Sequence, residues 1–512
     1  MEATAPGTPR SADPHAKTAE TFDRAYSLRI MAIMSILVMI VMYIEGMLTP
    51  SLPAIASEFH VDVSQVSLIL SVYLVTGVAL SPLAGKLGDV FGKKRVLTAV
   101  LAFYAVAVSV TGFSPTFEFM VAARAIQGVG LTIFPLAMSL VREEFPKEMV
   151  PRAQGLLSGL FGAGFAVSLP LGAFVSNTYG WRFTYHSAIP VVVAVTIAAF
   201  LYLRESPYRR PNAFVDYAGA GLLAVALAMI VLGLSEGPVW GWTSLSDLGL
   251  LIGGALVLVP TALVEAYHHR RGREVILDVR LLRQRNVLVT NLIIVVSGFG
   301  MFLAFQAITF RLEYPSPVGF DQSIFQTGLA FVAFAVPMLV FAPLASFLVT
   351  RVGTRPMTFL GCLVGAAGFY IVSLSTALPQ MLASMFVMGA GIAIMNASVI
   401  NLLVLTVEPR EMGLATSLNA VFRNIGSSIG APIAGSLMST FTVVVYGQSF
   451  PSATAFRDAY LIAAAATLVA AVLVLFAKEI LGRRAVQSAL ASDERAPAAP
   501  PLPPAPTEPL AA

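Results

Sequence analysis

Residues 66–95 read VSLILSVYLVTGVALSPLAGKLGDVFGKKR. The stretch 66–84 carries no charge. As a helix it is long enough to cross a hydrocarbon core of about 30 Å. The stretch 85–95 then brings Lys86, Asp89, Lys93, Lys94 and Arg95. An uncharged run that ends in a basic connection reads as a membrane span with its flank. Comparable runs occupy 30–50, 96–113, 118–141, 153–176, 187–204, 214–234, 248–267, 287–310, 325–349, 357–376, 380–403, 413–441 and 459–478, so fourteen spans are expected.

The connections alternate in charge. Of the 32 Lys and Arg, 27 fall in the N-terminal tail, every second connection and the C-terminal tail. The opposite connections hold only Arg182, Arg311 and Arg457, while Arg124 and Arg423 lie within spans. The excess of positive charge on the cytoplasmic side puts both termini in the cytoplasm, as an even number of spans also requires. Trp240 and Trp242 fall in an outer connection, where amphipathic rings suit the headgroup level.

Composition agrees. The chain is 57% hydrophobic and 12% charged, with a mean hydropathy of +0.80, against about 25% charged residues in a soluble domain. The net charge of +4 reflects loop arginines placed for topology, not a nucleic-acid surface. The single cysteine, Cys362, lies in an apolar span, which excludes an internal disulfide or a Cys-based metal site. No Gly-rich phosphate loop, His/Cys cluster or Ser-His-Asp spacing stands out, so neither an ATP-driven pump nor an enzyme is expected, and no cofactor or metal.

The chain repeats itself. PLAGKLGDVFGKKR at 82–95 aligns with PLASFLVTRVGTRP at 343–356. The same offset of 261 carries Gly128-Val129-Gly130 onto Gly389-Ala390-Gly391 and Phe161 onto Phe422. Two six-span halves follow, with spans 214–234 and 248–267 left over as an inserted hairpin. The expected organisation is a disordered N-terminal tail (1–28), a first half (29–204), a hairpin with cytoplasmic linker (205–286), a second half (287–480) and a disordered Ala/Pro-rich tail (481–512). Two like halves around a midplane site are the architecture of many secondary transporters.

Ionisable groups inside spans are costly and mark function. Glu45 lies sixteen residues past Arg29, about 24 Å along a helix. Arg124 lies nine residues past Pro115, about 14 Å deep from the opposite entry. The two can approach each other, with Glu45 as the protonatable group and Arg124 tuning it. The plainer alternative is a structural ion pair, or Glu45 wetted at the outer mouth. Arg423 is the third such group. Its repeat partner is Gly162, so it is not a duplicated structural feature. Gln127, Gln306, Asn291, Asn396, Asn401 and Asn419 are polar groups that face a cavity or bond neighbouring helices. Gly155, Gly159, Gly162, Gly164 and Gly172, with Pro170, mark the fifth span as a close-packing or bending helix.

These residues carry a resemblance. Gly85-Lys86-Leu87-Gly88-Asp89-Val90-Phe91-Gly92-Lys93-Lys94-Arg95 resembles the loop signature of the major facilitator superfamily. Arg124-Ala125-Ile126-Gln127-Gly128-Val129-Gly130, the Trp-Gly-Trp at 240–242 and Arg423-Asn424-Ile425-Gly426 resemble its fourteen-span drug:proton antiporter branch. Ser168-Leu169-Pro170-Leu171-Gly172 departs from the span-five pattern of that branch by losing a Gly-Pro pair. The resemblance implies an all-α membrane protein with the major facilitator fold, two six-helix halves plus an inserted hairpin, in which spans one and four line a central cavity. It implies that Gly85, Asp89, Gly92 and Lys93 form a gating connection. Asp89 would meet the start of span 413–441, and Lys93 would pair with Glu143 or Glu144.

The expected function is proton-coupled export of small amphipathic organic compounds by alternating access, with the substrate, protons and the lipid bilayer of the cell membrane as partners and a monomer as the working unit. Transport of an endogenous metabolite is the alternative. A transporter-like sensor or lipid-handling protein is a remoter one.

Overall fold

The computed structural model describes residues 24–145, 149–205, 214–271, 273, 279–407, 412–445 and 447–479. The two terminal tails expected from composition lie outside these residues. In lipid every backbone polar group must be satisfied internally, so apolar runs of this length become helices. The first group is α1 (Arg24–Gly46), α2 (Leu52–Phe59), α3 (Val63–Val66), α4 (Leu68–Phe91), α5 (Lys93–Gly112), α6 (Phe117–Gln127), α7 (Ile133–Glu144), α8 (Val150–Tyr179) and α9 (Trp181–Tyr202). Then come α10 (Tyr217–Trp240), α11 (Leu245–Arg270) and the short α12 (Val279–Leu282). The last group is α13 (Arg285–Glu313), α14 (Ile324–Ala330), α15 (Val332–Val352), α16 (Thr354–Leu374), α17 (Leu378–Thr406), α18 (Met412–Thr440) and α19 (Ala453–Leu475). A two-stranded hairpin, β1 (Thr442–Val445) and β2 (Gln448–Pro451), links the final two helices. Among the described residues twelve helical segments are long and apolar enough to cross a membrane. The helices α8 and α18, of 30 and 29 residues, are as long.

Packing repeats between the groups. In the first, α1 lies on α8 and α9, α4 on α6, and α5 on α6 and α9. In the second, α13 lies on α18 and α19, α15 on α17, and α16 on α17 and α19. The groups meet where α4 crosses α18 and where α8 crosses α14 and α15. At one end of the bundle the joint is hydrogen-bonded. Gln306 Nε2 donates to the Val63 carbonyl at 3.4 Å, and the Ser64 amide donates to Ser439 Oγ at 3.0 Å.

The leftover pair, α10 and α11, pack on each other, and α10 lies against both α4 and α18. Gln65 Nε2 donates to Glu236 at 3.2 Å, and the Ser436 hydroxyl donates to the Leu234 carbonyl. The pair is thus tied to both groups. Helix α11 turns Ile252, Leu256, Val259 and Leu263 outward, as suits a lipid-facing helix, since tails are as apolar as a core.

Two local structures differ from the sequence reading. The expected loop over 85–95 is almost entirely helical. Helix α4 runs to Phe91, Gly92 makes the whole turn at φ 106°, and Lys93 opens α5. Only glycine adopts that backbone angle without strain. The span over 118–141 is not one continuous helix. A 3₁₀ segment, Gly128–Thr132, separates α6 from α7.

Candidate functional site

The site begins with the glycines that follow Arg124. A Cβ on Gly128 would stand under 3.0 Å from the Tyr73 carbonyl oxygen, and one on Gly130 would strike the Tyr104 ring. Lacking side chains, they let the 3₁₀ turn press against α4 and α5. Arg124 and Gln127, one helical turn apart, share a face and are both fully buried. Arg124 Nε donates to the Ile69 carbonyl at 2.9 Å, and its guanidinium stands 4.6 Å from the centre of the Tyr73 ring. Tyr185 lies beside Arg124 and Tyr104 beside Gln127. This arginine is held by its own half.

Glu45 sits near the end of α1. Its side chain is half-buried. Its strongest electrostatic partner is Arg423 of α18, and Arg124 comes second. The sequence reading paired Glu45 with Arg124; the fold adds a cation from the opposite half. Glu45 makes no ion pair within 4 Å among the described residues, so both guanidiniums act on it from a distance. Phe165, which a Cβ on the adjacent Gly46 would meet at 3.3 Å, stacks on Phe305 of the other half at 6.2 Å and 10°. Phe305 also meets Phe331 at 5.1 Å and Phe334 at 4.9 Å. Flat apolar faces next to a few charges suit an amphipathic ligand.

At the end carrying the Lys/Arg-rich connections, Lys93 is buried and forms an ion pair with Glu143, with Asp89 at 3.5 Å. Glu144 turns the other way and accepts the Tyr26 hydroxyl at 2.6 Å. Of the two acids considered for Lys93, the fold joins it to Glu143. Asp89 occupies the last turn of α4, and its expected contact with the start of span 413–441 falls on side chains, 411–414, outside the described residues. Glu205 accepts the Lys94 amide at 3.1 Å, and its carboxylate fills the space a Gly92 side chain would need. Gly85 faces open space.

The other polar candidates mostly bond within the second half. Asn396 accepts the Ser297 hydroxyl at 2.9 Å, Asn419 donates to Asn291 at 3.3 Å, and Asn401 donates to Ser346 at 3.3 Å. Gln306, the repeat partner of Glu45, is fully buried at the joint between halves. On α8, a Cβ at Gly164 would come 3.0 Å from the Met39 carbonyl, and one at Gly172 would come 2.6 Å from Met47 Cα, so both seat α1 closely. Helix α8 continues through Pro170, where Gly328 of α14 packs. The surroundings of Gly155, Gly159 and Gly162 lie outside the described residues.

A family model, the Major Facilitator Superfamily, matches residues 34–312 and 288–509. The chain belongs to that superfamily. It is a multi-pass membrane protein. It is 30% identical over 404 residues to an uncharacterized MFS-type transporter of Mycobacterium tuberculosis, covering 78% of this chain and 57% of that protein. It therefore spans little more than half the length of that relative. It is 27% identical over 395 residues to the Tetracenomycin C resistance and export protein of Streptomyces glaucescens, covering 76% of this chain and 71% of that one. It is 25% identical over 414 residues to the Multidrug transporter protein MdtP of Bacillus subtilis, covering 78% and 75%. Among solved structures it superposes on the nucleoside transporter NupG with a TM-score of 0.61 at 14% identity, covering 88% of this chain and 100% of that one. On the xylose transporter XylE from E. coli the TM-score is 0.59 at 15% identity, covering 89% and 98%.

Within this superfamily member, Tyr73, Tyr104, Tyr185, Glu205 and the Gln65–Glu236 pair escaped the sequence reading. The tyrosines had left a signal. Tyrosine in spans concentrates at the two interfaces, whereas Tyr73 and Tyr104 fall mid-span.

Proposed function

We propose that this superfamily member is a proton-coupled exporter of small amphipathic organic compounds. It works with fourteen spans, counting α8 and α18 with the twelve, and with α10 and α11 as the inserted hairpin. Both termini are cytoplasmic, because the Lys/Arg-rich connections share one side. The halves are then hydrogen-bonded at the outer end. The relatives named for drug resistance and export support the substrate class, as does the phenylalanine cluster beside the charged groups.

One observation carries the reading: Glu45 feels a guanidinium of its own half, Arg124, and one of the other half, Arg423. When the halves rock, its counter-charge changes, and the proton affinity of a carboxyl follows its neighbouring charges. Movement of the halves and movement of a proton are thereby linked. The test is counterflow in proteoliposomes with an imposed pH gradient, using a panel of amphipathic dyes and drugs. The native protein accumulates at least one compound against its gradient. Glu45→Gln still binds that compound and still exchanges it, but no longer responds to the pH gradient. Undiminished proton-driven accumulation by Glu45→Gln removes the assignment.

A further inference from the structure

Glu313 is a buried acid that the coupling at Glu45 does not use. It ends α13, and the next helix of its half, α14, crosses onto α8 of the first half, where a Cβ on Gly328 would come 2.7 Å from the Leu169 carbonyl oxygen. Both helices also pack on the 3₁₀ turn Thr49–Ser51 of the first half. Glu313 Oε1 is shut off from solvent there and closes no hydrogen bond of ordinary geometry. Its neighbour is the hydroxyl of Thr327, fully buried on α14. A hydroxyl supplies one hydrogen bond, whereas an ionised carboxylate accepts about four. The place belongs to the joint at Val63 and Ser64, since Asp62 of α3 acts on Tyr314 together with Glu313. Asp62 also acts on Glu236 of α10. Three acids thus meet at this joint.

The cations of this end are engaged elsewhere. Its connections carry Arg182, Arg311 and Arg457. Arg182 pairs with Glu58, and Arg457 Nε lies 3.6 Å from Asp458. Arg311 donates to the Ser375 carbonyl and stands over the rings of Phe320 and Tyr460. His60 Nδ1 lies 2.7 Å from the Ser57 carbonyl, and Asp321 is exposed. Nor does the fold need an acid there, as the internal repeat shows. Positions 261 residues before Glu313 and Thr327 are Leu52 and Val66, both fully buried.

A carboxylate taken out of water without a counter-charge costs far more than its protonated form. Asp62 and Glu236, being acids, offer that charge no relief. We propose that Glu313 is a second proton-binding site, which takes a proton from the outer solution as the joint closes and returns it to the same side as the joint opens. When the joint is open Glu313 meets water, and a solvated glutamate is ionised above about pH 4.3. Closing then takes up one proton, so each unit of falling pH favours the closed joint by up to about tenfold. This proton sets how often the joint is closed and does not cross the membrane, which separates it from the proton of Glu45. The site rests on the transport reading for its orientation and for two halves that move.

The experiment uses the full chain in lipid nanodiscs, with spin labels on Tyr179→Cys and Val444→Cys, exposed residues of opposite halves at the outer end. The native Cys362 is buried and adds little label. Every chain carries Glu45→Gln, so that the central carboxyl does not contribute. Pulsed dipolar spectroscopy at about pH 5.5 and about pH 8.5 reads the populations of short and long distances across the joint. With Glu313 in place, the ratio of closed to open rises about tenfold or more on going to the lower pH. Glu313→Gln is neutral throughout, so it favours the closed joint at both values and its ratio changes by less than about twofold. Glu313→Leu, which installs the residue of the first half, behaves in the same way and decides the matter if the glutamine variant does not fold. An undiminished pH response in Glu313→Gln overturns the assignment. So does loss of the response in Asp62→Asn or Glu236→Gln with Glu313 retained. An unchanged ratio at the two pH values with Glu313 in place overturns proton-linked closure itself. If the native protein moves no compound under a proton gradient in proteoliposomes, the exporter reading fails, and the distances still decide whether Glu313 binds the proton.

Discussion

Gly128 packs against the carbonyl oxygen of Tyr73 so tightly that no Cβ fits, and Gly389 packs in the same way against Phe334, each residue displaced by 261 positions. The next pair repeats as well, Gly130 on Tyr104 and Gly391 on Gly365. One helix crossing has been used twice.

Gly128→Val and Gly389→Val therefore destabilise this protein. The clash is with backbone, which cannot turn aside as a side chain can, and overpacking of this kind costs about 1–3 kcal/mol. Unfolding in detergent, with Gly85→Ala as the tolerated control, measures it. Equal stability of Gly128→Val and the native chain would show that the crossing is looser than described.

Gly92→Ala is costly for two reasons. Its φ of 106° suits glycine alone, and a Cβ would meet the Glu205 carboxylate within 3.0 Å. The loss exceeds about 1 kcal/mol. Adding Glu205→Ala relieves the collision but not the backbone strain, and it removes the acceptor of the Lys94 amide. The double variant thus recovers only part of the loss, which a comparison of unfolding midpoints reads directly.

Lys93 and Glu143 are coupled. Both are largely removed from solvent, so their attraction is less screened than that of a surface pair. A double-mutant cycle with Lys93→Met and Glu143→Gln gives an interaction of about 1–2 kcal/mol. The same cycle on Lys93 and Glu144 gives close to zero, because Glu144 is engaged by Tyr26. The reverse ranking would contradict the pairing.

The joint at Val63 and Ser64, which faces outward in the proposed orientation, is hydrogen-bonded to the second half, and α10 contributes to it through Glu236. Gln65→Leu removes the donor to Glu236, so the joint opens more often. A cysteine placed at Ser64, partnered with Ser439 across the halves, then reacts several-fold faster with an impermeant thiol reagent added outside. The native Cys362 is buried and contributes little background. An unchanged labelling rate would mean that the hairpin does not restrain the joint.

Much of this could be read from the chain. Long apolar runs become helices because lipid offers the backbone no other partner, so helix order and extent follow from local composition. The repeat follows from matching residues at one offset. Glu45, Arg124 and Arg423 stand out because charge inside a span is expensive. What composition does not encode is rotation about each helix axis. Lipid is as apolar as the bundle core, so hydropathy cannot tell an inward face from an outward one. For that reason only the tertiary structure decided that Glu45 feels Arg423 as well as Arg124, that Lys93 takes Glu143 and not Glu144, and that three tyrosines close around Arg124.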